Sequence, residues 1–326
     1  MYITAGTLDD LLRRVIPKLL KSKNRIKPTR GMATELIGVL LQLTNPRARL
    51  SLTETKGRLS SCLGEFLWYL AKSKDLQFIT YYLSRYRKES EDGRTVYGGY
   101  GPRLFGMRRN NQVANVLALL KKKRDSRRAV IQLFDAADIA QKHKEIPCTC
   151  TLQFMIRGHR LHMFTNMRSN DAFLGLPHDV FAFTMLQEII ARTLGVELGT
   201  YNHAVGSLHL YKKHRKNARQ YLKEGWQSTA PMPPMPATNP WSSICRVVKA
   251  ERAIRYGRKI NISDLCLHPY WADLVRLLQI YWHFRKREGI QIMRLKDKMS
   301  ARLYDSYIED LRNRLQKKQT MKTEPG

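Results

Sequence analysis

The sequence contains one cysteine whose neighbours suit it to covalent chemistry. Cys148 follows Pro147 at the start of a predicted strand, and Arg127, Arg128 and Arg168 flank it in sequence. Nearby cations lower the pKa of a thiol and so increase its reactive thiolate fraction. A lone cysteine is more often a small buried hydrophobe, so a nucleophile and a core residue are both open at this point.

The same arginines are suited to binding a phosphate. A nucleoside monophosphate presents a dianion, and planar guanidinium groups satisfy its oxygens through paired, charge-assisted hydrogen bonds. By themselves, the adjacent Arg127 and Arg128 are typical of a solvated charge run. The phosphate interpretation therefore depends on what else the sequence carries.

Three further residues place polar groups on regular elements. His209 and Tyr211 are two apart on a predicted strand, so their side chains point to one face. They either share a ligand or form a satisfied core pair. Glu65 lies inside the apolar helical segment LGEFLWYL, where an acid is either turned to water or held for a function.

Composition bounds the class of protein. The 326 residues include 58 Lys and Arg against 27 Asp and Glu, a net charge of +31, and 43% are hydrophobic. This apolar content supports a folded core and excludes a disordered chain. The charge excess indicates an anionic partner, such as nucleotide phosphates, a polynucleotide or an acidic surface. No apolar run reaches about 18 residues, so we expect no membrane segment and a cytoplasmic location.

The cysteines give no sign of a metal site. The chain has five, an odd number scattered along its length, without the paired CxxC spacing of a zinc site. Disulfide scaffolds are shorter and denser in cysteine. We therefore expect reduced thiols and no metal.

Apolar spacing predicts both helices and strands in the first 240 residues. Helical spacing covers 8–20, 59–70 and 180–194, and strand patterns cover 36–43, 129–134, 151–156, 160–165 and 197–210. The segment APMPPMPATNP at 230–240 cannot continue a helix or a central strand. We therefore predict a catalytic domain at 1–240 and a basic helical extension at 241–326, with helices at 271–284 and 300–315.

Five short motifs lead to a known family. They are SRR at 126–128, PC at 147–148, MRSND at 167–171, FLGLP at 173–177 and LHLY at 208–211. Their order and separations resemble those of the thymidylate synthase and pyrimidine nucleotide hydroxymethylase superfamily, over residues 25–220. The resemblance implies an α/β (α+β) fold with a mixed twisted sheet, flanking helices and a homodimer that pairs through the sheet.

The resemblance also implies roles for the catalytic residues. Cys148 would add to carbon 6 of a pyrimidine and make carbon 5 nucleophilic toward the methylene group of methylene-tetrahydrofolate, the cosubstrate. Glu65 matches a glutamate that relays protons through ordered water, and Tyr97 matches a tyrosine near the thiol. Asp171 stands where the family contacts the folate pterin.

The remaining matches bind the nucleotide. The resemblance implies that His209 and Tyr211 bind the sugar hydroxyl. It also implies a set of residues that binds the phosphate, in which an arginine pair is contributed by the neighbouring subunit. These residues are Arg127, Arg128, Arg168 and Ser169, with Arg30 as a further ligand, although the usual RTG order reads TRG here.

One departure from the family bears on the base. After LGLP, thymidylate synthases carry a large apolar residue and an asparagine that reads uracil, whereas this chain has His178 and Asp179. A protonated carboxyl complements neutral cytosine and a carboxylate complements cytosine protonated at nitrogen 3, while a carboxylate opposes oxygen 4 of uracil. The pattern therefore predicts a cytosine nucleotide, dCMP or CMP, as the substrate. A tolerated change in a uracil enzyme is the alternative.

Other departures bear on the product. Thr149 replaces the histidine that usually follows the nucleophile, and YYLSRYR occupies the neighbourhood of the family's WDEW segment. The tail at 316–326 is polar. A wetter site lets water capture the intermediate, which predicts a 5-hydroxymethyl nucleotide. One alternative is a thymidylate synthase that methylates dUMP. The other is a catalytically inactive family member with a nucleic-acid-binding or regulatory role, and the basic extension is the part of the chain that would bind nucleic acid.

Overall fold

A mixed β-sheet organises the chain, and the computed structural model describes residues 1–51, 53, 59–225 and 230–323. The strands in these ranges are β1 (Tyr2–Ala5), β2 (Arg25–Ile26), β3 (Ala33–Leu43), β4 (Val130–Gln132), β5 (Thr149–Arg157), β6 (Arg160–Asp171) and β7 (Glu197–Tyr211). Their order is β1-β3-β7-β6-β5-β4, with β2 paired to β3. The pairs β1–β3 and β6–β7 are parallel, and the other neighbours are antiparallel.

Helices pack around this sheet. Those in the described ranges are α1 (Leu8–Lys21), α2 (Leu59–Leu70), α3 (Leu76–Tyr82), α4 (Tyr100–Gly106), α5 (Gln112–Lys122), α6 (Gly175–Leu194), α7 (Arg215–Lys223), α8 (Trp241–Arg255), α9 (Pro269–Lys286), α10 (Gly289–Lys296) and α11 (Asp305–Thr323). α6 connects the parallel strands β6 and β7 and packs against both. It ends at Gly195, whose φ of 63° glycine adopts without strain. The expected α/β fold, a mixed sheet with flanking helices, is confirmed.

The strands show the alternation that buries one face of a sheet. Along β6, Leu161, Met163, Thr165 and Met167 are buried, whereas positions 162, 164 and 166 are partly or fully exposed. Successive side chains of a strand point to opposite faces, so the buried set faces the helices. The other face is the one through which the expected homodimer would pair, and that dimer stays a prediction.

Helix α1 forms where the sequence predicts it. The side chain of Thr7 accepts a hydrogen bond of 3.1 Å from the backbone N–H of Asp10, which caps the first turn. Asp9 and Asp10 lie near the positive end of the helix dipole. Leu12, Val15, Ile16 and Leu19 are fully buried against the sheet, as the helical spacing predicts.

The proline-rich stretch packs on the core. The backbone N–H of Met232 donates to the carbonyl of Arg47 at 2.9 Å, and that of Met235 donates to Glu188 Oε1 at 2.9 Å. Both methionine side chains are buried. The stretch 230–240 is therefore anchored to the core that the preceding elements form.

The C-terminal helices pack against the helices that lead to the site. The predicted helices at 271–284 and 300–315 fall on α9 and α11, and α9 contacts α2 as well as α8. Tyr82 donates to Glu251 Oε1 at 2.9 Å, and the hydroxyl of Tyr307 accepts from the backbone N–H of Ser60 at 3.1 Å. The division at residue 240 stays a prediction, and residues 324–326 of the tail lie outside the described ranges. Over the described ranges, no helix is long and apolar enough to cross a membrane.

Candidate active site

A cavity of about 430 Å³ gathers most of the predicted site residues beside the carboxyl ends of β6 and β7. Those on its wall are Arg30, Glu65, Cys148, Arg168, Ser169, Asp171, Asp179, His209 and Tyr211. Tyr97, Arg127 and Arg128 lie elsewhere. The fold thus brings residues that are far apart in sequence around a space that suits a small ligand.

Cys148 lies immediately before β5 and is held beside Arg168. The Arg168 guanidinium donates to the backbone oxygens of Pro147 at 3.0 Å and Ile146 at 3.2 Å, and it reaches Cys148 Sγ at 3.7 Å. Burial and the carboxylate of Glu145 together raise the pKa of the Cys148 thiol to about 12, against the opposing effect of Arg168. The sequence suggested that cations lower this pKa, and the structure shows that burial and Glu145 outweigh them.

Arg30 reaches the cavity but is paired with two carboxylates. It forms an ion pair with Glu89 at 2.8 Å and a second one with Glu145. Burial raises the pKa of Glu145 to about 7 and also raises that of Glu89. Arg30 is therefore placed to bind an anion that displaces these carboxylates. Neither glutamate was singled out from the sequence.

Arg127 and Arg128 lie on the surface between α5 and β4. Both side chains are exposed. The backbone holds them through Gln153 Nε2, which donates to the Arg127 carbonyl at 2.9 Å, and Ser126 Oγ, which accepts from the Arg128 N–H at 3.2 Å. Their exposure fits arginines that serve another subunit's site, and that role stays a prediction.

His209 and Tyr211 lie on one face of β7, as their spacing predicts, with ring centroids 4.8 Å apart. Burial lowers the pKa of His209, which favours a neutral imidazole. His209 pairs across the sheet with Asp171 at the end of β6. Asp171 Oδ1 accepts from the backbone N–H of Phe173 at 2.8 Å and Leu174 at 3.2 Å, which fixes its carboxylate at the cavity wall.

Asp179 lies in the first turns of α6 and is oriented by a chain of buried groups. Its Oδ2 accepts from Asn170 Nδ2 at 2.6 Å, Asn170 Oδ1 lies 3.3 Å from His203 Nε2, and His203 Nδ1 lies 2.7 Å from the hydroxyl of Tyr201. Burial and the nearby charge of Glu65 raise the pKa of Asp179 to about 8. The carboxyl is therefore mostly neutral at pH 7 and offers one donor and one acceptor.

His178, the other departure beside Asp179, joins α6 to α2. Its Nδ1 lies 2.9 Å from the carbonyl oxygen of Leu174, so Nδ1 carries the proton. Its Nε2 then accepts from the hydroxyl of Ser61 at 2.9 Å. The side chain is buried, and it fixes the start of α6 relative to the helix that carries Glu65.

Glu65 is buried on α2 and contacts the segment YYLSRYR, which departs from the family pattern. Its Oε1 accepts from the hydroxyl of Tyr86 at 2.5 Å. Burial raises the pKa of Glu65, and Arg85 and Tyr86 oppose that rise. Arg85, Tyr86 and Glu89 all reach the cavity from the 3-10 helix Ser84–Lys88 and the residue after it. The sequence signal for Arg85 and Tyr86 was YYLSRYR in place of the family's tryptophan-rich segment, and Glu89 lies outside that segment.

Tyr97 lies outside the cavity that holds the thiol. It is 37% exposed, and its ring stacks on His143 at 3.6 Å and lies 5.3 Å from the guanidinium of Arg103. Tyr100 instead approaches the nucleophile, because its hydroxyl bonds the backbone N–H of Thr149 at 3.1 Å. A catalytic role for Tyr97 therefore has no geometric support within one chain.

The possible metal ligands are dispersed. In the part of the chain that the structure describes, no three His, Cys, Asp or Glu side chains form a group that could hold a metal ion. Two carboxylates of the cavity, those of Glu89 and Glu145, instead pair with Arg30.

Comparisons with known proteins identify the family of the chain. Residues 7–245 match the thymidylate synthase family. The chain is 35% identical over 154 residues to a deoxyuridylate hydroxymethyltransferase of Pseudomonas phage M6, which covers 46% of this chain and 44% of the relative. It is 30% identical over 207 residues to a protein of the same name from Delftia phage PhiW-14, with 59% and 57% covered. The match thus spans about half the length of these relatives. With the family match covering most of its length, the chain belongs to the thymidylate synthase family.

Proposed function

We propose that the chain transfers a one-carbon unit from methylene-tetrahydrofolate to carbon 5 of a pyrimidine nucleoside monophosphate and releases the 5-hydroxymethyl nucleotide. The observation that carries this proposal is that Cys148 and Glu65 share one cavity with Arg168 and His209. A nucleophile, a buried acid, a phosphate ligand and a sugar ligand are thereby available to one nucleotide. An inactive member of the family would have no need to keep these four groups together.

Cys148 supplies the nucleophile in this proposal. Its thiol must lose a proton before sulfur adds to carbon 6 of the pyrimidine, and the guanidinium of Arg168 favours the thiolate from 3.7 Å. The addition makes carbon 5 nucleophilic toward the methylene group of the cosubstrate. Asp171, fixed at the wall by its backbone bonds, is the candidate for contact with the folate pterin.

Arg168, Ser169 and Arg30 form the phosphate site that one chain offers. A phosphate dianion would replace Glu89 and Glu145 on Arg30 and gain charge-assisted hydrogen bonds there. His209 and Tyr211, side by side on β7, are placed for the sugar hydroxyl. These assignments use groups that already converge on the cavity.

Asp179 is the residue that reads the base. A neutral carboxyl can donate to oxygen 4 of uracil and accept from its nitrogen 3, or donate to nitrogen 3 of cytosine and accept from its amino group. The lone-pair conflict expected for uracil applies to a carboxylate, and the raised pKa of Asp179 keeps the neutral form below about pH 8. The side chain in this state suits either pyrimidine.

We propose dUMP as the first substrate and dCMP or CMP as the second candidate. Both named relatives are deoxyuridylate hydroxymethyltransferases, which favours uracil. Cytosine stays a candidate because Asp179 replaces the family's asparagine and its neutral carboxyl also complements cytosine. Methylation of dUMP is the less favoured reaction. The family excludes water with tryptophans on this wall of the cavity, whereas Arg85 and Tyr86 make the wall polar here.

The test of the proposed function is a substrate panel. The purified chain is incubated with methylene-tetrahydrofolate and dUMP, dCMP, UMP or CMP, singly and in competition, and the products are identified by mass spectrometry. We expect a 5-hydroxymethyl nucleotide, formed fastest from dUMP. A 5-methyl product would support thymidylate synthesis, and no product from any nucleotide would contradict the proposal.

We also propose a homodimer. Ile37 on β3 is 71% exposed and Val130 on β4 is 42% exposed. Exposed apolar residues on a sheet are consistent with a partner surface. The exposed Arg127 and Arg128 would then complete the partner's phosphate site. Nucleic acid stays a further candidate partner because of the net charge of +31.

A further inference from the structure

The strongest unassigned contact in the cavity joins Glu65 to Tyr86. Helix α3 ends at Tyr82, and the 3-10 helix Ser84–Lys88 follows at once, which turns Tyr86 toward α2. The Tyr86 hydroxyl donates to Glu65 Oε1 at 2.5 Å. Both residues line the cavity that contains Cys148.

The ring of Tyr86 is itself held in place. Its centroid lies 5.7 Å from that of Trp68, and the guanidinium of Arg85 lies 5.7 Å from the Tyr86 centroid. Trp68 is fixed in turn, because its Nε1 donates to the carbonyl of Asp75 at 3.1 Å. The hydroxyl therefore meets Glu65 from a fixed direction, and a carboxylate can accept further hydrogen bonds beside it.

We propose that Tyr86 is a positioning residue, which holds Glu65 against the water that adds to the one-carbon unit and so commits the reaction to the hydroxymethyl product. This inference rests on the proposed function and deepens it. It assigns to a named contact the choice between two captures of the intermediate. Water gives the hydroxymethyl product, whereas hydride from tetrahydrofolate gives the methyl product of thymidylate synthases. The tyrosine touches no reacting atom and acts through the carboxylate.

The step balances without an added oxidant or reductant. After tetrahydrofolate leaves, carbon 5 carries an exocyclic methylene while carbon 6 remains bonded to Cys148. Water oxygen bonds the methylene carbon, Glu65 takes a proton from that water, and the displaced electron pair moves onto carbon 5 and oxygen 4. The bond between sulfur and carbon 6 then breaks, the double bond between carbons 5 and 6 re-forms, and the thiolate of Cys148 is regenerated.

Glu65 must be ionised to accept this proton, so the groups around it matter. The titratable and charged groups that face it from its own helix and the neighbouring elements are Tyr69, Arg85, Tyr86, Glu89 and Asp179. Burial raises the pKa of Glu65, and the hydrogen bond from Tyr86 lowers it. Removing that hydroxyl therefore raises the pKa of Glu65 and moves the acid limb of the rate profile to higher pH.

The experiment compares Tyr86→Phe with wild type and with Tyr256→Phe, a matched loss of a hydroxyl at a site that is 63% exposed. Phenylalanine keeps the ring beside Trp68 and removes only the donor. We measure kcat, KM, the pH dependence of kcat and the ratio of hydroxymethyl to methyl product. We expect kcat to fall by at least about tenfold, KM to stay within about twofold, the acid limb to move upward and the product ratio to fall.

The outcomes separate this inference from the proposed function. If wild type forms a hydroxymethyl nucleotide and Tyr86→Phe keeps its kcat, acid limb and product ratio, the role of Tyr86 is wrong. A loss of activity with an unchanged acid limb and product ratio would indicate a structural role and would also overturn it. If wild type forms no hydroxymethyl nucleotide, it is the proposed function that fails.

Discussion

Asn170 Nδ2 donates a hydrogen bond of 2.6 Å to Asp179 Oδ2. Asn170 belongs to β6 and Asp179 to α6, so the bond ties the end of the strand to the helix that follows it. The other end of the Asn170 amide meets His203, whose pKa burial lowers to about 3. The imidazole is thus neutral, and Asn170 is held in the orientation that presents its amino group to Asp179.

The charge state of Asp179 predicts a pH dependence. Burial raises its pKa to about 8, so the neutral form dominates below that pH and the carboxylate above it. A carboxylate faces oxygen 4 of uracil with opposed lone pairs. We therefore expect kcat/KM for dUMP to fall as pH rises through about 8.

Asp179→Asn provides the comparison, because an amide does not titrate. We expect this variant to lose the basic limb near pH 8, whereas Asp297→Asn, an exposed control on the same exchange, keeps it. The measurement is kcat/KM from pH 6 to 10. An identical basic limb in Asp179→Asn would assign the titration to another group.

The same variant predicts a change in base preference. In this variant the Asn170 Nδ2 group would donate to the side-chain carbonyl oxygen of the asparagine at position 179. That bond fixes which side of the amide presents its oxygen, and which its NH₂ group, to the base. The acid meets the same donor but is less restricted, because the oxygen that accepts from Asn170 can still accept when it carries the proton. Because thymidylate synthases carry asparagine here, we expect Asp179→Asn to shift the kcat/KM ratio of dUMP to dCMP toward dUMP by about tenfold or more. A shift toward dCMP in competition would contradict this assignment.

Glu145 affects the reactivity of the nucleophile, Cys148. Its carboxylate helps to raise the pKa of Cys148 to about 12, and it also pairs with Arg30. We expect Glu145→Gln to lower that pKa and to speed alkylation of Cys148 at pH 8 by about three- to tenfold, since one pKa unit is a tenfold change in thiolate. Glu197→Gln, an exposed change elsewhere, is the control.

The alkylation must be followed by mass spectrometry of the peptide that contains Cys148, because the chain has five cysteines. The rate in wild type should still be rising at pH 10. A plateau near pH 8 would mean that the thiol has an ordinary pKa in solution. Equal rates in Glu145→Gln and wild type would exclude the proposed effect of Glu145.

We expect the C-terminal helices to contribute to the stability of the fold. The hydroxyl of Tyr307 accepts from the backbone N–H of Ser60 at the start of α2, and both residues are buried. Tyr307→Phe leaves that N–H without its partner, so we expect the free energy of unfolding to fall by about 1–3 kcal/mol. Urea denaturation measures the effect, with the exposed Tyr256→Phe as control. An equal free energy of unfolding in Tyr307→Phe and wild type would mean that α11 does not pack against α2 in solution.

Part of the site was predictable because local rules fix it. His209 and Tyr211 share a face because they are two apart on a strand, and the fold confirms this arrangement. Cys148, Arg168 and Asp171 lie in motifs whose spacing already indicates one ligand, and all three reach the same cavity. These residues sit on the sheet or at its edge, where the strand period decides where side chains point.

Other features depend on contacts that sequence does not display. Tyr86 reaches Glu65 only because the short 3-10 helix after α3 turns it toward α2. The neutral state of Asp179 comes from burial and the charge of Glu65, which lies far from it in sequence. Tyr97 matched a family motif, yet the loop that carries it turns the ring onto His143 at the surface.

In the proposed reaction, water captures a one-carbon unit on a pyrimidine held by Cys148. The most direct measurement is the reaction of dUMP with methylene-tetrahydrofolate in ¹⁸O-labelled water, with the nucleotide product analysed by mass spectrometry and Cys148→Ala as the control. We expect a 5-hydroxymethyl nucleotide that carries the label, and no product from Cys148→Ala. An unlabelled 5-methyl nucleotide from wild type, or turnover by a homogeneous Cys148→Ala preparation, would contradict it.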